Sequence, residues 1–174
     1  MPKVNSAAQL LDLYTQGERN FEGSNLDGAN LSGLDLKEIN LSRASLRKAD
    51  LTGADLSKAL LFQADLSTAI LNRVELSQAN LTGANLSRSL ISGGILKKTI
   101  LLKASLNGAI LIGANLTQAR LRQADLSDTN LSGANLSEAV ITEAKFTQAK
   151  YSVNTSFPLA FDPIMAEMRI QEGN

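Results

Sequence analysis

The 174-residue sequence contains neither cysteine nor histidine. Without cysteine the chain cannot form disulfide bonds or thiolate nucleophiles, and without either residue it lacks the most common general bases and metal ligands. Only carboxylates, lysines and hydroxyls remain for chemistry. These absences predict a protein that is not an enzyme and that uses no cofactor.

The sequence also lacks net charge and long apolar runs. Its 17 basic and 17 acidic residues cancel, so no global field draws the chain onto nucleic acid or an anionic membrane. The N-terminal stretch MPKVNSAAQLLDLYTQ has no apolar segment long enough for a signal-peptide core or a membrane span. We therefore expect a soluble cytoplasmic protein without membrane contact, for which nucleic acid is a disfavoured partner.

What the sequence does contain is a five-residue repeat. From Phe21 to Tyr151 every fifth residue is large and apolar, at 27 consecutive positions of which 22 are Leu. A helix would spread these side chains around its whole surface, and a strand would send alternate ones to opposite faces. The chain must therefore turn a corner every five residues so that each Leu points to a common axis, as in a solenoid.

The other positions of the pentad agree with this interpretation. Two residues before the Leu, Ala occupies 18 of the 27 pentads, which indicates a second inward position with little room. The residue before the Leu is Asn or Asp in 14 pentads, and the residue after it is Ser or Thr in 16. Short polar side chains of this kind bond nearby backbone groups at corners. The fifth position takes Gly or long polar residues, as expected of exposed turns.

These pentads, of the form A(D/N)LSx, resemble those of the pentapeptide repeat proteins, a family abundant in cyanobacteria. The resemblance covers residues 21–152. It implies an all-β solenoid, a right-handed quadrilateral β-helix with four pentads in each coil. The 27 pentads would then make about seven coils, spaced by about 4.8 Å as adjacent strands are. Residues twenty apart would be stacked neighbours.

Both ends of such a stack need covering, because they expose apolar cross-sections and unpaired strand edges. In residues 1–20 we expect a capping helix that begins after Ser6 as N-cap and stops at Gly17. In residues 153–174 we expect a second cap with a short helix, since Asp162 and Pro163 form an N-cap and first-turn pair. The apolar residues expected to plug the last coil are Phe157, Phe161 and Ile164.

Some outward positions carry apolar side chains, which suggests a protein-contact surface. Ile70, Leu90 and Ile110 are twenty apart and should stack as a ridge, with Ile112 beside the last. The opposite side carries two apolar pairs in alternate coils, Leu60 with Phe62 and Ile100 with Leu102. Stacked exposed apolar residues are less expected by chance than scattered ones. A protein contact and tolerated sequence drift are the two explanations.

Charged residues form two further patterns. Asp35, Asp55 and Glu75 should stack in a column that could attract a hard cation, but basic residues in or beside the same pentads favour an ion-paired surface, and we assign no metal. No acidic residue lies between Glu75 and Asp125. This stretch holds a group that we call the basic band: Arg88, Lys97, Lys98, Lys103, Arg120 and Arg122. The alternatives for this band are an acidic protein surface as partner, a nucleic acid as partner, or an ordinary solvated surface.

We therefore expect a structural or protein-interaction scaffold whose partner and pathway the sequence does not name, as a monomer or weak homodimer. The alternative comes from the resemblance, since some family members inhibit or protect DNA gyrase by presenting an acidic rod that mimics duplex DNA. This sequence departs from that pattern, because residues 21–150 hold 14 basic and 12 acidic side chains.

Overall fold

A computed structural model describes residues 3–171. One helix, α1, spans Ala7–Thr15, and two short strands, β1 (Lys150–Tyr151) and β2 (Arg169–Ile170), pair in parallel near the C-terminus. Between them the chain forms successive parallel bridges. From the bridge of Asn20 with Asn40 to that of Asn130 with Lys150, each bridge joins residues twenty apart. Because a pentad has five residues, this register places four pentads in each turn of the chain.

A tight turn follows every inward Leu. In the pentad 50–54 the Ala54 N–H donates to the Leu51 carbonyl at 3.0 Å, and Gly53 between them has a φ of 65°. A positive φ at the third residue is the mark of a type II turn. Long side chains adopt the same conformation at the same place in other pentads, for example Lys58 with a φ of 58°. The corner predicted from the period of five is therefore a hydrogen-bonded turn.

Every backbone N–H of the pentad 50–54 has an acceptor. Three donate to carbonyls of neighbouring coils: Asp50 to Ala29 (2.9 Å), Leu51 to Ile70 (2.7 Å) and Gly53 to Asn72 (2.9 Å). The Thr52 N–H donates to Oδ1 of Asp50 at 2.9 Å, and Ala54 completes the turn. The predicted local bond from the polar residue before the Leu is confirmed, and it recurs where Asn stands in that position, as between Thr82 and Asn80.

The interior consists of the two inward positions of the pentad. The Leu side chains at every fifth position from Leu26 to Leu136 are at most 1% exposed, and most of the Ala residues two positions before them are as deeply buried. Polar residues at the Ala position bond backbone carbonyls: the hydroxyls of Ser89, Thr99 and Thr129 donate to carbonyls at 2.6–2.8 Å. The inward assignment is therefore confirmed, and its polar exceptions do not leave buried groups unpaired.

One missing side chain in the interior has a local explanation. Gly94 stands where most pentads have Ala, and a Cβ there would lie 2.8 Å from Cγ2 of Ile91. Ile91 replaces the usual Leu of that pentad, and its β-branch occupies the space. Any larger residue at position 94 would require this Ile to shift.

The helix α1 lies over the first coil. Oγ of Ser6 accepts the Gln9 N–H at 3.3 Å as predicted for the N-cap, and Gly17 follows the helix with a φ of 96°. Leu10 is fully buried, and the Tyr14 hydroxyl donates to the Lys37 carbonyl at 3.0 Å. Before the helix, the Val4 carbonyl accepts the Asn25 N–H at 3.1 Å. The segment thus supplies both apolar cover and a ladder bond to the first coil.

The predicted second helix is wrong. Oδ1 of Asp162 accepts the N–H groups of Ile164 and Met165 at 2.8 and 3.3 Å, so the N-cap forms, but only one turn follows. The chain then returns to the stack as β2, where the Arg169 N–H donates to the Ala149 carbonyl at 2.8 Å. The unpaired edge of the last coil offers bonds that a continued helix would leave unmade.

The predicted plug of the last coil is two-thirds correct. Phe157 and Phe161 are half-buried and pack on each other with ring centroids 5.0 Å apart, while Phe161 also contacts Phe146 at 5.1 Å. Ile164 is 76% exposed, so its assignment is wrong, and Met168 is buried instead. The turn after Asp162 directs Ile164 outward. The C-terminal end also exposes other apolar residues: Val153, Leu159, Met165 and Ile170.

Candidate interaction surface

The apolar ridge, which we define as Ile70, Leu90 and Ile110, forms as predicted. Ile70 bridges Leu90, and Leu90 bridges Ile110, so the three lie in successive coils on one side of the stack. At about 4.8 Å per coil the ridge is about 10 Å long. Its side chains are half-buried against one another. Polar residues bound the ridge, with Asp50 bridged to Ile70 and Asn130 to Ile110.

Two further apolar side chains lie beside the ridge. Ile112, which the sequence indicated, is 45% exposed. Ile95, on the adjacent side of the stack, is 41% exposed and bridges Glu75 below and Asn115 above. The sequence reasoning missed Ile95, although the signal was present: it directly precedes the inward Leu96, as Ile70 precedes Leu71.

The apolar residues of the opposite side do not form a continuous surface. Leu60 bridges Asn80, which bridges Ile100, and Arg120 follows in the next coil. Leu60 is 45% exposed, whereas Ile100 is half-buried. Phe62 and Leu102, which flank the neighbouring inward Leu residues, are also half-buried. On this side each apolar pair is separated from the next by a polar coil.

The acidic column, formed by Asp35, Asp55 and Glu75, has a lysine beside its first two carboxylates. Asp35 bridges Asp55, which bridges Glu75, and Nζ of Lys37 lies 3.1 Å from Asp35 and 3.3 Å from Asp55. Burial by itself raises the pKa of Asp55, but hydrogen bonds from Ser57 and Lys37 lower it below its usual value. Residues 3–171 hold no cluster of carboxylates suited to a metal ion. Lys37 therefore pairs with two of the three carboxylates of the column.

Ion pairs between neighbouring coils continue through the first part of the stack. Nη2 of Arg47 lies 2.5 Å from Oδ2 of Asp27, and the hydrogen bonds from Arg47 lower the pKa of that carboxyl. The other pairs in this part are Arg43 with Glu22 at 2.9 Å and Lys58 with Glu38 at 3.3 Å. All of them lie between residues 22 and 58.

The basic band lacks such partners. Across residues 3–171 its only ion pair joins Arg122 to Glu143 at 3.5 Å. Arg88, another member of the band, precedes Leu90 of the ridge by two residues, and Lys97 and Lys98 follow Ile95 of the adjacent side by two and three residues. Arg73, three residues after Ile70, likewise makes no ion pair within the described chain. Apolar and unpaired basic side chains therefore share one region of the surface.

The repeat can now be compared with known proteins. A family model described as pentapeptide repeats matches in 8 copies, over residues 24–61, 59–97, 96–128 and 114–150. The chain belongs to the pentapeptide repeat family. No curated protein matches its sequence.

Solved pentapeptide repeat proteins resemble the chain over most of its length. HetL, involved in heterocyst differentiation regulation in the cyanobacterium Nostoc sp. strain PCC 7120, is 26% identical with a TM-score of 0.57, over 97% of this chain and 95% of HetL. The protein alr5209 from Nostoc PCC 7120 is 27% identical with a TM-score of 0.36, over 98% and 100% of the two chains. Rfr23 from the cyanobacterium Cyanothece 51142 is 30% identical with a TM-score of 0.24, over 86% and 99%.

The family of these neighbours forms right-handed quadrilateral β-helices. The twenty-residue register of the bridges in this chain agrees with four pentads per coil. Within the described residues no helix has the length and apolar character needed to cross a membrane.

Proposed function

We propose that this pentapeptide repeat protein is a non-enzymatic scaffold that binds another protein through the apolar ridge. The observation that carries the proposal is the cost of the ridge to the fold. At the position before the inward Leu, an Asn or Asp accepts the N–H two residues further on, as Asp50 does for Thr52. Ile70, Leu90 and Ile110 cannot accept this bond; the Ser92 N–H, two residues after Leu90, donates instead to Oδ1 of Asn72 at 3.0 Å. The repeat itself therefore gives no reason for an apolar side chain in three successive coils.

The comparison with HetL supports a regulatory rather than a catalytic role, because HetL is involved in heterocyst differentiation regulation and is similar over 97% of this chain. We also infer that the bridges close into a right-handed quadrilateral β-helix of about seven coils over residues 21–152. Residues 1–20 and 153–174 act as its caps in this proposal. The cytoplasmic location stays a prediction.

The charge distribution supports a scaffold over a mimic of duplex DNA. A mimic needs a continuous acidic surface, whereas here five of the six acidic residues of the first coils, all except Asp50, are paired with Lys or Arg, and the middle coils are basic. The ridge is small beside the roughly 800 Å² that each partner buries in a stable complex. We therefore expect transient binding unless flanking residues contribute.

A matched pair of variants tests the proposal. The first changes Ile70, Leu90 and Ile110 to Ser, and the control changes Leu60, Ile100 and Val140 to Ser, which removes as many apolar side chains from separated coils. Both should keep the circular dichroism and melting of the wild type. We expect only the ridge variant to lose proteins recovered from the source cell by crosslinking and affinity capture.

Equal recovery by all three proteins would refute the ridge as the contact. A supercoiling assay with purified DNA gyrase addresses the alternative, since inhibition at stoichiometric concentrations would favour the DNA mimic over the scaffold.

A further inference from the structure

We propose that the ridge and the basic side chains around it bind an acidic amphipathic helix of a partner protein. The inference rests on the proposed function and adds the chemistry of the partner. Three observations carry it: the spacing of the ridge, the unpaired charges beside it, and a corner of the stack at which five of six residues are Gly.

The spacing of the ridge suits a helix. Its three side chains lie about 4.8 Å apart along the stack, and an α-helix advances about 5.4 Å per turn. A helix parallel to the axis of the stack would therefore set one apolar residue against each of Ile70, Leu90 and Ile110, in the i, i+3/i+4, i+7 pattern of helix recognition. Over two intervals the mismatch grows to only about 1 Å.

The charges beside the ridge determine the sign of the partner. Arg73, Arg88 and Lys97 make no ion pair within residues 3–171, whereas four of the five basic residues of the first coils (residues 21–60) contact carboxylates at 2.5–3.3 Å: Lys37, Arg43, Arg47 and Lys58. No acidic residue occurs from position 76 to position 124. Carboxylates on either side of the apolar stripe of a docked helix would form ion pairs with these basic side chains, and the complementary charge would speed association.

The corner that follows the ridge side is almost free of side chains. Its residues, twenty apart, are Gly33, Gly53, Arg73, Gly93, Gly113 and Gly133. The next corner carries only long side chains, Glu38, Lys58, Gln78, Lys98, Gln118 and Glu138, at the same positive φ of 58–62°. The turn conformation therefore does not require glycine.

Steric crowding does not require it either. A Cβ at Gly113 would meet no atom within 4 Å, and the same holds at Gly33. The bare corner beside the ridge is instead suited to the close approach of another backbone. This explanation applies to Gly93 and Gly113, which lie in the coils of Leu90 and Ile110.

A nucleic acid is the other acidic partner that a basic surface could take. Single-stranded nucleic acids bind through aromatic side chains on which bases stack, but the outward aromatic residue of the described repeats, Phe62, is half-buried on the opposite side. The surface beside the basic residues is aliphatic. These features favour a protein helix.

Fluorescence anisotropy with synthetic peptides tests the inference on the full chain. The probe is a labelled peptide of about 18 residues, with Leu at i, i+3, i+4 and i+7 spacing and Glu at the remaining positions. The comparison peptides replace Glu by Gln or by Lys, or scramble the acidic sequence. We expect the acidic amphipathic peptide to bind at least about tenfold more tightly than the others, and to weaken as salt rises.

Variants locate the contact. The triple variant Ile70→Ser, Leu90→Ser and Ile110→Ser should abolish binding. The triple variant Arg73→Gln, Arg88→Gln and Lys97→Gln should weaken binding of the acidic peptide about tenfold without weakening binding of the Gln peptide. Gly113→Gln should also weaken binding. Its matched control, Gly33→Gln, lies at the same corner two coils before the coil of Ile70 and should not weaken binding. Circular dichroism and melting establish that each variant is folded.

The results separate this inference from the proposed function. Equal affinity for the Glu and Gln peptides, with the ridge still required, would overturn the acidic partner and leave the scaffold intact. Tighter binding of a DNA oligonucleotide than of the acidic peptide would also overturn it. If no peptide binds while cellular partners still depend on the ridge, the inference that the partner presents a helix would be overturned and the proposed function would stand.

Discussion

The first coils (residues 21–60) and the middle coils (residues 61–124) have the same interior and different exteriors. Both bury Leu at every fifth position with the same inter-coil bonds. The first coils join most of their outward charges in pairs, such as Arg47 with Asp27. The middle coils instead present the ridge and a set of basic residues. Within the described chain, the one ion pair of these basic residues joins Arg122 to Glu143, which lies outside the middle coils. This fold therefore fixes its interior and leaves its outward positions free to vary.

The reason is that each coil of a solenoid contacts only its neighbours. Interior side chains and backbone bonds repeat in every coil, so they set stability along the whole stack. Outward side chains contribute little, because exposed ion pairs are worth about 0–1 kcal/mol. We therefore expect interior substitutions to reduce stability strongly and equally in both regions, and outward substitutions to reduce it slightly and unequally.

The largest effect should come from a charge in either interior. Leu46→Asp in the first coils and Leu101→Asp in the middle coils would each bury an unpaired carboxylate in a site that is now 0% exposed, and both should abolish folding. The control is Ile100→Asp, one residue away and outward, at the position where about half of the pentads have Asn or Asp. Circular dichroism and thermal melting distinguish them, and a folded Leu101→Asp variant would break the comparison.

Removing the N-terminal segment should have the next largest effect. Deletion of residues 1–16 uncovers Phe21 and Leu26 and frees the Asn25 N–H, so the first coils would present an open edge. We expect self-association, detected by light scattering. A monodisperse truncated protein with the melting temperature of the full chain would contradict the capping role of α1.

A smaller effect should separate the two exteriors. Asp27→Asn removes the charged partner of Arg47 and should lower the free energy of unfolding by at most about 1 kcal/mol, because the Arg47 side chain is 58% exposed and surface ion pairs contribute little. In the middle coils, Asp65→Asn should change it by less than about 0.5 kcal/mol, since an amide oxygen can still accept the Ser67 N–H. Denaturant unfolding measures both, and equal losses would argue against a difference between the exteriors.

The smallest effect is a difference in acid sensitivity. Hydrogen bonds to Asp27 and Asp50 lower the pKa of both carboxyls, as does the balance of contacts at Asp55. A lowered folded-state pKa stabilises the protein above the unfolded value of about 3.9, and this stability is lost as the pH falls through the folded-state value. Hydrogen exchange at low pH, corrected for intrinsic rates, should therefore show residues 21–60 losing protection before residues 76–124. Uniform loss along the stack would contradict this.

Local sequence was sufficient for the repeat unit and insufficient for its ends. Leu61 is buried and its neighbour Leu60 is 45% exposed, as the five-residue period requires. The same reasoning predicted a helix after Asp162, and the N-cap does form there. The helix stops after one turn because the strand edge at Lys150–Tyr151 accepts β2, and that edge is distant in sequence from the capping residues.

The candidate surface shows the same division. A twenty-residue coil, implied by the resemblance, was enough to place Ile70, Leu90 and Ile110 in one line. It did not identify the partners of charged side chains: Lys58 pairs with Glu38, while Lys37 lies between Asp35 and Asp55. Long flexible side chains choose among several acceptors within reach, and sequence spacing does not rank those choices.

The sequence by itself determined which residues of each pentad face inward, because one inward Leu every five residues is compatible only with a chain that turns at that interval. It also determined the local bonds of the outward Asn and Asp side chains, whose partners lie two residues away. The tertiary structure alone decided which charges remain unpaired, how the last coil is closed and how far the ridge is exposed. Those properties depend on contacts between coils and on the returning C-terminal strand, which no local pattern specifies.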